Sequence, residues 1–480
     1  MSFLKRLASY AGVDVLAAML GLVTSPITTR LLSIEQYGAI SYISAVWVPF
    51  MVARYAGAGS SFVLFKARSG VCQDTLVASC TKIVCIFSVL VVFAFFAFVS
   101  YSNVFSTFSV VGRYEVFIFS LGLIPIALVD WVLLILRFSH KAYIYAKISI
   151  IQKVVVVIAV LPCMYLVEQE NRLMVYFAVV FFVSLLSLVY AVRLSNAIAL
   201  NIFSMRNSSW SLIKDLLAYG IYLVPGAIIY SFVSVVDKLL LGGIGGVDDV
   251  ALLALATALS APVVMLKKWV SLVLGPMIVE WVRNLDQSQY SHNLDALLQS
   301  LSVVFFPVVL VITIWIKPFV VFLYPESYSL SAVLVPVLAF SGVLAVLTLV
   351  AISTLLISQN KSATLKINLL ALISNILLAV YLIPLYGPIG AALGTVLAES
   401  IILMCWALLG TVLHKNLVLN WMRILPVIAV VFLLVLVGAY HFYQDVGFLQ
   451  RGLASALCLG LSAAYFWFNR RNLKIVKQLL

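Results

Sequence analysis

The feature that most constrains this chain is a recurrence of apolar runs, each about 20 residues long and separated by short polar turns. A run of that length crosses the hydrocarbon core of a bilayer as one α-helix. The runs lie at approximately 10–32, 38–62, 76–100, 115–137, 142–166, 172–193, 216–241, 250–274, 296–320, 330–356, 364–386, 388–411, 424–443 and 449–468. They predict an all-α integral membrane protein with fourteen transmembrane helices.

Composition supports this prediction and argues against a nucleic-acid partner. The chain has 480 residues, of which 64% are hydrophobic and only 10% charged, and a soluble domain does not have that balance. Its formal net charge is +13, but the basic residues do not cluster in a stripe or a tail, as a surface that follows phosphates would need. They recur between the apolar runs, as membrane topology requires.

Loop charge predicts the orientation of the helices. The loops on the side of the N-terminus carry most of the basic residues: Lys5, Arg6, Lys66, Arg68, Arg137, Lys141, Lys147, Arg193, Arg206, Lys214, Lys267, Lys268, Arg283, Lys361, Lys366, Lys415, Arg423, Arg470, Arg471, Lys474 and Lys477. The opposite loops hold Arg113, Arg172 and Arg451 together with seven acidic residues. By the positive-inside rule, both termini are cytoplasmic.

The N-terminus and the cysteines suggest neither a removed signal nor a cofactor. The chain starts with basic residues but has no short apolar region followed by a small-residue cleavage site, so we expect a retained first helix. Its six cysteines show no metal-ligand spacing, and its four histidines lie in or beside loops. We therefore expect no metal, no disulfide and no cofactor.

An internal repeat predicts the domain organisation. The longest interior polar segment, 195–215, separates two stretches with similar patterns: LKRLASYA precedes the first run and LIKDLLAYG the seventh, and the runs end in TTRLL and VDKLLLGG. The pattern predicts a six-helix lobe at 1–194, a cytoplasmic linker at 195–215, a second six-helix lobe at 216–411, and two additional helices with a basic tail at 424–480. Such repeats place a transporter's substrate site between the halves. Chance similarity between apolar runs is the alternative.

Charged residues inside the predicted spans are the candidate functional residues. A charge at the centre of a membrane helix is unfavourable by about 2.5–3.5 kcal/mol on insertion scales, so such a residue usually faces a partner or a wet cavity. The charges are Arg30, Arg54, Asp130, Lys153, Asp237, Lys238 and Glu399. Lys153 and Glu399 lie about 16 Å deep, near the midplane, and pairing between them is one interpretation.

Other charges have alternative interpretations. For Arg30 and Lys238 the alternative is snorkelling to the headgroups, and for Asp237 it is simple pairing with Lys238. Asp130 and Arg137 have a further alternative, which is to orient the cytoplasmic end of their span.

Two spans combine these charges with polar and aromatic residues at helical spacing. The seventh carries Tyr219, Tyr222, Gly226, Tyr230, Ser234 and Asp237, and the second carries Ser44, Trp47, Arg54, Gly57 and Ser61. Helices that face only lipid have no use for such stripes. The alternative is a helix-packing face, because small and hydroxyl residues also mediate contacts between membrane helices.

Three segments resemble one family. The segment TSPITTRLLSIEQYG resembles the first-span signature of polysaccharide exporters and Wzx-type O-antigen flippases. The segment NILLAVYLIPLYGPIGAALGTVLAES is similar to their eleventh-to-twelfth-span hairpin. WIKPFVVFLYPESYSLSAVLVPVLA resembles their ninth-to-tenth connection, although Pro325 stands where a glycine is usual. The resemblance covers residues 5–411.

The resemblance implies a V-shaped fold of two six-helix bundles in a bacterial inner membrane. It implies that a polyprenyl-pyrophosphate-linked oligosaccharide crosses from the cytoplasmic to the outer leaflet by alternating access, through a cationic cavity, with a polysaccharide polymerase complex as a possible partner. The residues expected to bind such a substrate are Arg30, Arg54, Lys153, Lys238, Trp47, Tyr219, Tyr222 and Tyr230. Those expected to exchange a coupling proton or sodium ion are Asp237, Glu399 and Asp130.

Three other functions stay open at this point. A flippase for the peptidoglycan precursor lipid II shares the fold. A cation-coupled drug exporter of the same superfamily does too, but generally has an acidic lumen, which the basic balance here disfavours. A membrane glycosyltransferase would need a sizeable soluble loop with paired acidic residues, whereas the longest loop, about 20 residues, has only Asp215 near its end.

Overall fold

The computed structural model describes residues 3–66, 72–102, 111–139, 141–196, 202–203, 207–284, 287–356, 361–413, 435, 447 and 450–456. This part of the chain is helical and contains no strand. Its helices are α1 (Phe3–Leu31), α2 (Ile34–Ala53), α3 (Ala58–Lys66), α4 (Gln73–Tyr101), α5 (Arg113–Phe138), α6 (Ala142–Tyr165), α7 (Arg172–Asn196), α8 (Trp210–Val233), α9 (Val236–Ile244), α10 (Val247–Asn284), α11 (Gln287–Leu323), α12 (Ser331–Leu356), α13 (Lys361–Tyr386) and α14 (Pro388–Leu413). Single 3₁₀ turns lie at Gln169–Asn171 and Glu326–Tyr328.

The protein is a multi-pass membrane protein. Within the described ranges, eleven segments are long and apolar enough to cross a bilayer, and the apolar part of α1, Leu16–Leu31, is shorter. The helices follow the first twelve predicted spans. The last two, 424–443 and 449–468, fall mostly outside the described residues, so the total of fourteen spans and the cytoplasmic termini remain predictions.

The second predicted span is broken rather than continuous. α2 ends at Ala53 and α3 begins at Ala58, and between them Ala56 and Gly57 have positive φ angles of 45° and 73°. An α-helix cannot pass through that conformation, which glycine adopts at little steric cost. The predicted uninterrupted stripe on this span is therefore wrong, because the joint at 54–57 separates Trp47 from Ser61.

The seventh predicted span is also two helices. α8 ends at Val233 and α9 begins at Val236. The hydroxyl of Ser231 donates to the carbonyl of Ile228 (2.7 Å), and that of Ser234 donates to the carbonyl of Ser231 (2.7 Å). Side chains that bond back to the preceding turn compete with the helical ladder and bend it. Asp237 consequently lies in the first turn of α9 and does not continue the tyrosine stripe of α8.

The chain forms two compact units, Met1–Val235 and Val236–Leu480. The helix α8 thus groups with the first unit, whereas the sequence places a linker at 195–215, before this helix. In the first unit, α6 packs against α1 and α7, and α5 packs against α7 and α4. Helices α2 and α3 each pack against both α4 and α8. Its core is centred on Phe62, Ile135 and Trp131, whose indole N–H donates to the hydroxyl of Thr81 at 2.9 Å.

The second unit is built around α12. This helix packs against α10, α11 and α14, and α13 pairs with α14. The hydroxyl of Ser331, at the start of α12, is fully buried and donates to the carbonyl of Leu252 on α10 at 3.0 Å. The short helix α9 packs against α10, α13 and α14, which positions its first turn inside the unit.

Candidate functional site

The joint between α2 and α3 buries an arginine. Arg54 is the residue that follows α2, and it is 2% exposed. Its Nη2 donates to Asp130 Oδ2 at 2.7 Å and to the Tyr55 hydroxyl at 2.9 Å. The guanidinium also lies over the Tyr55 ring, 4.6 Å from its centroid. Its Nε and Nη1 are buried and have no hydrogen-bond partner. Arg54 therefore keeps unused donor capacity inside the membrane domain.

Three of the predicted site residues come together around Asp130. This carboxylate lies on α5 and its side chain is 44% exposed. Lys153, on α6, interacts electrostatically with it. Arg54, Asp130 and Lys153 thus form a cluster to which the α2–α3 joint, α5 and α6 each contribute one residue. The cluster carries two positive charges and one negative charge.

A cavity of about 470 Å³ opens beside this cluster. It is lined by Gly59, Ser60, Val63, Asp130, Leu133, Leu134, Arg137, Phe138 and Tyr145. Its size falls in the range of roughly 300–1,000 Å³ that small-molecule sites occupy. Its charged lining residues are Asp130, which pairs with Arg54, and Arg137, which is exposed.

From the sequence, Arg137 was predicted to be a loop charge and, with Asp130, a residue that could orient the cytoplasmic end of its span. Arg137, Tyr145 and Ser60 were not predicted to be substrate-binding residues. Arg137 follows Asp130 by seven residues, or two helical turns, so both lie on one face of α5. That spacing was the available signal. Tyr145 and Ser60 lie on other helices, and their proximity depends on packing that the sequence does not specify.

The other predicted residues of the first unit are distributed differently. Arg30 is exposed in the last turn of α1. The tyrosines of α8, Tyr219, Tyr222 and Tyr230, are 38%, 80% and 54% exposed. Trp47 is only 6% exposed, and its ring meets that of Phe95 edge to face at 5.1 Å. Trp47 therefore packs inside the unit, whereas the tyrosines remain available to a ligand.

In the second unit, Asp237 is a buried carboxylate with few donors around it. Its side chain is 8% exposed. Oδ1 accepts from the backbone N–H of Lys238 at 2.8 Å, and Oδ2 accepts from the hydroxyl of Thr395 at 3.4 Å. Lys238 and Glu399 are half-buried in the same unit. In the described ranges no three His, Cys, Asp or Glu side chains group as metal ligands would.

A family model described as "Polysaccharide biosynthesis protein" matches residues 3–282, which is more than half of the chain. No curated protein matches the sequence well enough to count as a relative.

Several solved structures share the fold, among them the following three. The lipid II flippase MurJ in an inward closed conformation is 16% identical, with 96% of this chain and 99% of that chain covered and a TM-score of 0.67. An inward-facing multidrug resistance MATE family transporter of the MOP superfamily is 15% identical, with 83% and 95% covered and a TM-score of 0.64. The MATE multidrug transporter DinF-BH in complex with R6G is 14% identical, with 87% and 97% covered and a TM-score of 0.61.

At these identities the structures show a shared fold and no more. The family model adds the sequence evidence, and the eleven apolar segments add the membrane. The chain therefore belongs to the polysaccharide biosynthesis protein family of membrane flippases and has the fold of the MOP-superfamily transporters.

Proposed function

We propose that this protein is a flippase for a polyprenyl-pyrophosphate-linked oligosaccharide, an O-antigen unit or a similar surface-polysaccharide repeat unit. It moves this substrate from the cytoplasmic to the outer leaflet of a bacterial inner membrane by alternating access. The observation that supports it best is the cationic cluster of Arg54, Asp130 and Lys153 beside a cavity in the first unit.

The charge of the cluster suits an anionic substrate. A pyrophosphate linkage is anionic at neutral pH, and arginine binds phosphate oxygens through the planar fork of its guanidinium. Arg54 has two N–H positions without a protein partner, so it can donate to an incoming anion once Asp130 moves. A cationic drug would be repelled by the same cluster, which disfavours the drug exporter despite the similar fold.

The exposed tyrosines of α8 suit the glycan. Tyr219, Tyr222 and Tyr230 each combine an aromatic face, on which a sugar ring stacks, with a hydroxyl that hydrogen-bonds to sugar hydroxyls. Arg30, at the end of α1, adds an exposed cation in the same unit. The isoprenoid tail can stay in lipid, so only the head group needs this polar surface.

Substitution of the arginines tests the proposal. In a strain whose surface polysaccharide depends on this protein, we expect Arg54→Ala and Arg30→Ala each to lower surface glycan at least tenfold, the effect of losing one charge-assisted contact of about 1.5–3 kcal/mol. Both variants should still insert, as measured by immunoblots of the membrane fraction. Arg193→Ala, which removes an exposed cation at the end of α7, is the matched control and should not change display. Normal display in both test variants would reject the cationic path.

The lipid II flippase is the second candidate, favoured by the fold shared with MurJ along nearly the whole chain. A flippase for the peptidoglycan precursor is needed for growth. A surface-polysaccharide flippase is not needed for growth in this way, so on the leading proposal we expect a deletion strain to be viable and to lack surface glycan. A lethal deletion that a known lipid II flippase rescues would establish this candidate instead.

Turnover in this proposal is coupled to a proton or to sodium through Asp237, with Glu399 and Asp130 as further candidates. The carboxylate of Asp237 is buried and accepts hydrogen bonds from the Thr395 hydroxyl and the Lys238 backbone N–H. A carboxylate in such a setting can exchange a small cation. In the same display assay, the Asp237→Asn variant should insert normally and lose glycan display. Retained display would remove Asp237 from the coupling step.

A further inference from the structure

The cavity beside Asp130 has a mixed lining. Ser60, Arg137 and Tyr145 supply a hydroxyl, a guanidinium and a phenol. Val63, Leu133, Leu134 and Phe138 supply apolar surface. A sugar would not cover the apolar side chains, and a plain hydrocarbon chain would make no hydrogen bond to the polar ones. A ligand that suits both sets has an anionic part and an apolar part.

We propose that this cavity binds the junction between the isoprenoid chain and the diphosphate of the lipid carrier, with Arg137 and Tyr145 contacting the diphosphate. This inference deepens the flippase proposal above and rests on it. The first isoprene units lie against Val63, Leu133 and Phe138, and the glycan extends out of the cavity. The site thus recognises the carrier and not the sugar.

In this conformation, Arg137 is the direct anion contact, because Arg54 is covered and reaches an anion only after Asp130 moves. Arg54 is 2% exposed and does not line the cavity, whereas Asp130 does. The 2.7 Å pair neutralises the carboxylate that would otherwise repel a diphosphate. Arg54 and Lys153 therefore offset the charge of Asp130, while the exposed Arg137 reaches the ligand.

The position of the cavity matches the leaflet in which the substrate is loaded. Arg137 lies in the last turn of α5 and Tyr145 in the first turn of α6, and the predicted topology puts this end of both helices in the cytoplasm. A lipid-linked sugar assembled in the cytoplasm presents its diphosphate at this depth. Binding at this site precedes the movement of the glycan.

The test uses the full-length protein in lipid nanodiscs and farnesyl diphosphate, a short isoprenoid diphosphate without sugar, as the probe. Calorimetric titration should detect binding to the wild-type protein. Arg137→Gln should weaken it at least tenfold, because a charge-assisted contact to the diphosphate is lost. Tyr145→Phe should weaken it less. Val63→Ser, at an exposed apolar residue of the lining, should weaken binding of farnesyl diphosphate but not of inorganic pyrophosphate.

Arg193→Gln is the matched control, since it removes an exposed cation of the same unit that does not line the cavity. Its affinity should equal that of the wild type. Nanodiscs made with phosphatidylglycerol should give the same affinity as neutral ones, because an ordinary phospholipid headgroup does not fill this site.

Four outcomes would overturn the inference. These are equal loss in Arg137→Gln and Arg193→Gln, pyrophosphate binding as tight as farnesyl diphosphate, competition by phosphatidylglycerol, and no binding by a wild-type protein that supports surface glycan. The last result would leave the flippase proposal standing, because it would show transport without recognition of the carrier at this cavity. Failure of the flippase proposal itself would instead appear as normal surface glycan in the deletion strain.

Discussion

At the scale of single residues, Arg54 shows why a charge is kept inside a membrane domain. An arginine that is 2% exposed, with two buried donor positions unused, lowers the stability of the resting protein. Asp130 compensates only part of that effect, through one short contact at 2.7 Å. On the proposed function, this unused donor capacity receives the anionic head group of the substrate.

Asp130→Ala should therefore destabilise the protein. Removing one partner of a fully buried pair typically lowers stability by about 3–5 kcal/mol. Because the Asp130 side chain is 44% exposed, we expect a smaller loss, about 2 kcal/mol. The measurement is the thermal unfolding midpoint in detergent, with Glu115→Ala on the same helix as the control.

The double variant Arg54→Met/Asp130→Ala should recover part of that stability, since it removes the buried guanidinium together with its partner, yet it should not restore surface glycan. A midpoint in Asp130→Ala equal to that of the control would show that the pair does not stabilise this unit.

The charged site residues could be predicted from the sequence because charge inside an apolar run has few explanations. Arg54, Asp130 and Lys153 were found in this way, and the structure brings them together. Trp47 was less clear from the sequence. It was predicted to bind sugar, with helix packing as the alternative, and its ring packs against Phe95. Hydrophobic periodicity does not distinguish a buried ring from a ligand-binding one.

At the scale of elements, α8 packs directly against the joint between α2 and α3. Gly57 and Gly220 approach so closely that a Cβ atom on either would overlap the backbone of the other segment. The buried hydroxyl of Ser61 donates to the carbonyl of Leu216 at 2.9 Å and fixes the same contact. Arg54 is the first residue of this joint, so the buried arginine lies close in sequence to the contact with α8.

Gly220→Ala should therefore disrupt the contact between α8 and the joint. The added methyl group meets the carbonyl of Ala56, a backbone atom that cannot rotate away. We expect a lower thermal midpoint and a loss of surface glycan. Gly226→Ala, on the same helix with nothing within 4 Å of the added atom, is the control and should be neutral or stabilising by up to about 1 kcal/mol. The same midpoint in both variants would contradict the close approach.

The positions of the helices could be predicted from the sequence, but their interruptions could not. Runs of apolar residues specify where a chain crosses the bilayer, because nothing else satisfies its backbone there. The breaks at 54–57 and 234–235 depend on a local φ angle and on serine hydroxyls that bond to the preceding turn. Neither changes the hydropathy of the run, so both spans were predicted as single helices.

At the scale of the whole molecule, the orientation in the membrane rests on the distribution of lysine and arginine between loops, and Cys72 gives a direct test of it. This residue is exposed just before α4, in a loop that the positive-inside rule places in the cytoplasm. The backbone N–H groups of Thr75 and Asp74, at the start of that helix, favour its thiolate and lower its pKa from the ordinary value.

A membrane-impermeant maleimide should therefore label the protein in inverted membrane vesicles and not in intact spheroplasts. Because the pKa is lowered, the thiolate is already present at pH values at which an ordinary thiol is protonated, so the midpoint of the labelling rate should lie below pH 9.0. The Cys72→Ser variant should lose the Cys72 signal, and the difference between it and the wild type is the quantity measured, because Cys85, Cys163 and Cys405 are half-buried and could add a background. Labelling from the outside alone would invert the topology, and would place the Arg137 cavity at the leaflet in which the substrate is released rather than loaded.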